Sequence, residues 1–105
     1  MKFKEFLEYL EINLSSYHTF MQKALAFQSS KNAKRAPKSR WNEARVEKAA
    51  YEMWKASMDT LFNKIKYEVR SDQPSVWISF MEKNHIFDIL NDGIAEMDFS
   101  EDAIA

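Results

Sequence analysis

The chain has no cysteine, one glycine and two prolines among its 105 residues. Without cysteine it can form neither a disulfide framework nor a thiolate zinc site. A single glycine, Gly93, leaves few positions for tight hairpin turns and rules out the glycine-rich loop that cradles a phosphate group. These absences exclude a disulfide-stabilised domain and a nucleotide-binding loop, and they favour an all-α fold.

The sequence also lacks long apolar runs. No stretch reaches the roughly 18 apolar residues of a membrane-spanning helix. Glu5, Glu8 and Glu11 interrupt the apolar run that an export signal requires. We therefore expect a cytoplasmic protein that does not bind membranes, with one helical domain over residues 1–98 and a disordered acidic tail over residues 99–105.

Apolar side chains near the N-terminus recur at spacings of three and four, which predicts an amphipathic helix over about residues 3–28. The residues of this seam are Phe3, Leu7, Leu10, Leu14, Tyr17, Met21 and Ala24. A second row, formed by Phe6, Phe20 and Phe27, widens the apolar stripe. So wide a stripe favours contact with more than one neighbour and suggests a homodimer.

The rest of the chain predicts a second long helix and one or two shorter ones. Pro37 cannot continue a helix, and Ser39 is the candidate N-cap of a second helix over about residues 40–69. Pro74 opens a third helix, and the apolar residues up to Gly93 leave room for a short fourth. We expect a small helical bundle in which the two long helices are antiparallel, with Trp54 and Trp77 in its core.

Charge is strongly segregated along the chain. Residues 31–48 carry seven cations and two acids, whereas residues 71–105 carry one cation and eight acids. The formal net charge of −1 hides this separation. Such asymmetry points to charged partners.

The basic stretch predicts contact with nucleic acid, because cations neutralise phosphates and Trp41, beside Arg40, offers an aromatic ring for base stacking. The candidate binding residues are Lys31, Lys34, Arg35, Lys38, Arg40, Trp41, Arg45 and Lys48. An ordinary solvated loop between two helices has the same composition.

The acidic stretch has three interpretations. Its candidate partner face consists of Asp88, Asp92, Glu96 and Asp98. Like charges four residues apart on a helix are mildly destabilising, so stability alone does not favour this row. It is an ordinary solvated face, a partner for the basic stretch within the fold or a dimer, or a surface that imitates nucleic acid and engages a basic groove.

Catalytic motifs are lacking. His18 and His85 are the only histidines, and Glu82 and His85 form at most one half of a di-iron carboxylate site. We therefore expect no enzyme, no cofactor and no metal. The leading hypothesis is a non-catalytic binding protein acting on nucleic acid or on a nucleic-acid-handling complex. The alternatives are a nuclease inhibitor of the phage or mobile-element type that uses the acidic face, and a structural oligomer subunit.

Overall fold

The computed structural model describes residues 1–99, which form five α-helices and one short 3-10 turn. The helices are α1 (Phe3–Asn13), α2 (Tyr17–Ala33), α3 (Glu43–Val69), α4 (Pro74–Lys83) and α5 (Ile86–Glu96), and the 3-10 turn covers Pro37–Ser39. The predicted all-α helical bundle is therefore confirmed. None of the helices within residues 1–99 has the length and apolar character needed to cross a membrane. The predicted tail lies, apart from Phe99, outside the described residues.

The first predicted helix is in fact two helices. The chain breaks at Leu14, whose backbone is extended (φ −86°, ψ 113°), although its side chain stays buried and continues the apolar seam. Asn91 on α5 stabilises the break, because its Oδ1 accepts hydrogen bonds from the Ser16 amide at 3.2 Å and the Ser15 hydroxyl at 3.4 Å. The hydrogen-bond partner of the Ser16 amide, at the start of α2, thus comes from 75 residues further along the chain. The spacing of apolar residues by three and four could therefore not reveal the break.

Helix α3 is the central element, and α1 and α2 lie along it in the opposite direction. Phe3 and Phe6 near the start of α1 pack on Phe62, with ring centroids 5.2 and 5.4 Å apart. Tyr17 and Phe20 on α2 pack on Trp54 at 4.9 and 5.2 Å. The predicted antiparallel arrangement is thus present, and these aromatic contacts join α1 and α2 to α3. The molecule is elongated, measuring 49 × 24 × 22 Å.

Helices α4 and α5 close the bundle. Trp77 on α4 stacks on Phe62 at 5.0 Å and is 1% exposed, which confirms it as a core residue together with Trp54 at 0%. Ile94 is the buried residue of α5. The Lys23 ammonium on α2 donates to the carbonyl oxygens of Ile94, Ala95 and Met97 at 2.8–3.0 Å, so a cation caps the C-terminal end of α5.

Helix α3 begins three residues later than predicted. Asn42, rather than Ser39, is its N-cap, because the Asn42 Oδ1 accepts the amide of Arg45 at 2.9 Å. The residues from Pro37 to Ser39 instead form the separate 3-10 turn. The connection between α2 and α3 is therefore a structured segment at the N-terminal end of the longest helix, which places it at one end of the molecule.

A basic tip and an acidic helix face

Seven cations lie around the α2–α3 connection, and we call residues 31–48 the basic tip. They are Lys31, Lys34, Arg35, Lys38, Arg40, Arg45 and Lys48, all exposed except the half-buried Arg35. Within residues 1–99, no carboxylate lies within 4.0 Å of the ammonium groups of Lys31, Lys38 or Lys48. The fold thus brings the predicted cations together at one end of the molecule and leaves at least three of them open to solvent.

Trp41 is already stacked against two arginines. The guanidinium carbons of Arg35 and Arg45 lie over the Trp41 ring, 4.1 and 4.6 Å from its centroid. Each such cation–π contact contributes about 0.5–2 kcal/mol. Asn32 holds the backbone of Trp41 in place, since its side chain accepts from the Trp41 amide at 2.8 Å and donates to the Trp41 carbonyl at 3.0 Å. Trp41 therefore organises the tip, a role that the sequence analysis did not predict.

Arg40 ties the tip to the end of α2. Its Nε donates to the carbonyl of Arg35 and its Nη2 to the carbonyl of Ala33, each at 3.2 Å. Carbonyls at the end of a helix lack partners within the helix, so the bond to Ala33, the last residue of α2, caps that helix. The bond to Arg35 joins Arg40 to the connection that follows. Beside this contact lies an open groove of about 460 Å³ whose lining includes Asn32, Arg40 and Glu43. Arg40 thus shapes the tip as well as adding charge to it.

The acidic residues of α5 form one exposed row. Asp88, Asp92 and Glu96 recur every fourth residue, and all three are exposed, as is Asp98 just beyond the helix. Ile89, next to Asp88, is 62% exposed. The acidic face of the sequence analysis, consisting of Asp88, Asp92, Glu96 and Asp98, is therefore a surface with an apolar residue within it.

A polar cluster at the α1–α2 break was not found by sequence reasoning. The Glu11 Oε2 accepts hydrogen bonds from the Tyr51 hydroxyl at 2.8 Å and the Trp54 indole N–H at 3.3 Å. Burial, followed by the hydrogen bond to Glu11, raises the pKa of the Tyr51 hydroxyl. Burial and the nearby Glu11 likewise raise the pKa of Tyr17. Both hydroxyls are held in the neutral form, and the cluster links α1 to α3.

The signal for that cluster was present but ambiguous. Glu11 lies one position after the seam residue Leu10 and three before Leu14, so it borders the apolar face. The acidic residues of α1 read equally well as solvated groups. Only the packing of α1 on α3 shows that Glu11 faces the Tyr51 hydroxyl.

Glu82 and His85, the candidate half of a di-iron site, are joined by no further metal ligands within residues 1–99. Glu82 and His85 line a small groove of about 250 Å³ together with Tyr9, Phe87 and Asp88. The His85 Nδ1 lies 3.8 Å from the Asp88 carboxylate, and both side chains are largely exposed. Among the residues of the described part of the chain, no group of three or more His, Asp or Glu side chains is placed to hold a metal ion.

Compared with known proteins, the chain matches no family model, no curated protein and no solved structure. Its function has to be inferred from the basic tip and the acidic face.

Proposed function

We propose that this is a non-catalytic binding protein that engages nucleic acid, or a nucleic-acid-handling complex, through the basic tip. The observation that carries the proposal is the gathering of seven cations at one end of the bundle. Phosphate contacts by lysine and arginine supply most of the sequence-independent affinity of proteins for nucleic acid. A tip whose backbone is fixed by Asn32 and Arg40 presents these charges without first having to be ordered.

The tip divides into charges that shape it and charges that are free to bind. Arg40 closes α2, and Arg35 and Arg45 pack on Trp41. Replacing those arginines would disturb the fold of the tip together with its charge. Lys31, Lys38 and Lys48 are exposed and make no ion pair within the described residues. Lys31 also lies 5.3 Å from the centre of the Phe27 ring, so replacing the three lysines removes charge together with this one ring contact.

A matched pair of triple variants tests the proposal. The tip variant carries Lys31→Gln, Lys38→Gln and Lys48→Gln, and the control carries Lys4→Gln, Lys64→Gln and Lys83→Gln. All six lysines are exposed, and both variants change the net charge by the same amount. Binding to labelled duplex and single-stranded DNA is measured by fluorescence anisotropy at low salt. The tip variant should bind at least about tenfold more weakly than the control, and equal affinities would contradict the proposal.

A second candidate function rests on the acidic face. Asp88, Asp92 and Glu96 repeat along one exposed side of α5, and Ile89 adds an apolar contact that a purely solvated row would not need. Such a surface suits an inhibitor that docks in the basic channel of a nucleic-acid enzyme, the phage or mobile-element type of activity. Reversing these three charges to lysine would then abolish inhibition of a restriction or CRISPR nuclease, while the triple tip variant would remain active.

The oligomeric state is a further part of the proposal. A homodimer was predicted because the apolar stripe is wide, yet Phe6 and Phe20 are both covered within one protomer, at 0% exposure. A second copy is therefore not needed to cover them. A homodimer would instead use exposed apolar residues such as Ile12, at 81%, and Ile89. Light scattering coupled to size-exclusion chromatography decides between one and two chains, and Ile12→Asp should dissociate a dimer formed there.

A further inference from the structure

The aromatic rings in and next to the basic tip already lie against cations. Trp41 lies within 4.6 Å of two guanidinium groups, those of Arg35 and Arg45. Phe27, one turn below the tip, has the Lys31 ammonium 5.3 Å from its ring and contacts Phe99 at 6.4 Å. Proteins that bind single strands without sequence preference stack successive bases on open aromatic faces. The tip therefore offers no open aromatic platform of that kind.

A base would have to compete with the arginines for Trp41. The Trp41 ring is half-buried, and both guanidinium carbons lie over it within 4.6 Å of its centre, so they cover surface on which a base would stack. Arg35 is half-buried, and its backbone carbonyl accepts a hydrogen bond from the Arg40 Nε. Stacking a base and stacking a guanidinium on an indole are comparable in strength, so the exchange brings little net gain. What remains available to a ligand is the positive charge.

Resting on the proposed function, we propose that the basic tip binds duplex nucleic acid through its phosphates, with Trp41 as a positioning residue that orients Arg35 and Arg45. A duplex carries one charge per about 1.7 Å of its axis, against one per about 3.4 Å for each strand alone. When stacking contributes nothing, this higher charge density favours the duplex. The same reasoning predicts little sequence preference, because phosphate contacts carry no base information.

The first experiment compares a fluorescein-labelled 20-base-pair DNA duplex with its labelled single strand, at one salt concentration, with wild-type protein. The duplex should bind at least about threefold more tightly. Trp41→Leu should weaken the binding of duplex and single strand by a similar factor, because the guanidinium groups lose the ring on which they pack. Trp41→Phe should retain most of the affinity for both ligands. Tighter binding of the single strand, or a loss confined to the single strand in Trp41→Leu, would overturn the inference and leave the proposed function standing. Binding of neither ligand would overturn both.

A second measurement avoids any change in stability caused by a variant. Fluorine NMR of protein labelled with 5-fluorotryptophan gives one signal for each of the three tryptophans, and Trp41→Phe assigns that of Trp41. Trp54 and Trp77 are buried and serve as internal references. Saturation with either ligand should leave the Trp41 signal within the small shift expected from a nearby charge. A large ring-current shift on addition of the single strand would show base stacking and refute the positioning role.

Discussion

The hydrogen bonds from the Lys23 ammonium to the C-terminal end of α5 give the most quantitative prediction. All three protons of its ammonium group have an acceptor, in the carbonyls of Ile94, Ala95 and Met97. We consider Lys23→Met, which keeps the apolar stem of the side chain but removes the charge. The end of α5 then loses its cap, while water can still reach part of the freed carbonyls.

The size of the effect follows from the three bonds. Charge-assisted hydrogen bonds contribute about 1.5–3 kcal/mol when buried, and a neutral average bond contributes about 1 kcal/mol. Because this site is half-buried, we take about 0.5–1 kcal/mol for each of the three bonds, which amounts to a loss of about 2 kcal/mol. For a domain of this size, that loss lowers the Tm by about 8–16 °C.

Lys55→Met is the matched control. Lys55 is also half-buried, but within residues 1–99 its ammonium has a single partner, Glu52, at 3.3 Å on the same helix. A partly exposed pair of this kind contributes about 0.3–0.5 kcal/mol. Urea unfolding followed by circular dichroism measures both variants, and hydrogen exchange of the α5 amides locates the change. If Lys23→Met were no more destabilising than Lys55→Met, the capping role of Lys23 would be refuted.

Two further predictions concern the polar cluster between α1 and α3. Glu11→Leu leaves the Tyr51 hydroxyl and the Trp54 indole N–H without their acceptor. It should lower the free energy of unfolding, measured by urea titration, by about 2–4 kcal/mol. The control Glu8→Leu, on the exposed side of α1, should lower it by about 0.5 kcal/mol or less. Because the pKa of Tyr51 is raised in the folded state, the folded protein holds this proton more tightly than the unfolded chain does. That contribution to stability is complete below the ordinary tyrosine pKa of about 10 and declines as pH rises beyond it. The urea midpoint should therefore fall less between pH 8 and pH 10.5 in Tyr51→Phe than in the control Tyr67→Phe. An equal fall in the two variants would argue against the burial of Tyr51.

Much of the fold was predictable because it depends on local signals. Pro74 marks the start of α4, and the apolar spacing around Trp54 identifies the buried face of α3. The break at Leu14 was not predictable, because its stabilising partner Asn91 comes from α5. The seam residues on both sides of the break keep the helical spacing, so the pattern looked continuous.

The basic tip was predictable in composition but not in arrangement. Counting charges identified every cation of residues 31–48, because charge is a property of the sequence. The contacts of Arg35 and Arg45 with Trp41 depend on how α2 and α3 meet, and so does the capping by Arg40. These contacts separate Arg35, Arg40 and Arg45, which hold the tip together, from Lys38 and Lys48, which make no ion pair within the described residues. That division changes which substitutions make a clean test.

The central claim is that the exposed lysines of the basic tip contact phosphates, and the salt dependence of binding to a 20-base-pair duplex measures this most directly. Each phosphate contact contributes about −0.9 to the slope of log K against log salt concentration. The variant with Lys31→Gln, Lys38→Gln and Lys48→Gln should therefore show a slope shallower than that of wild type by about 2–3, whereas the control with Lys4→Gln, Lys64→Gln and Lys83→Gln should keep the wild-type slope. Equal slopes for wild type and the tip variant would contradict the account.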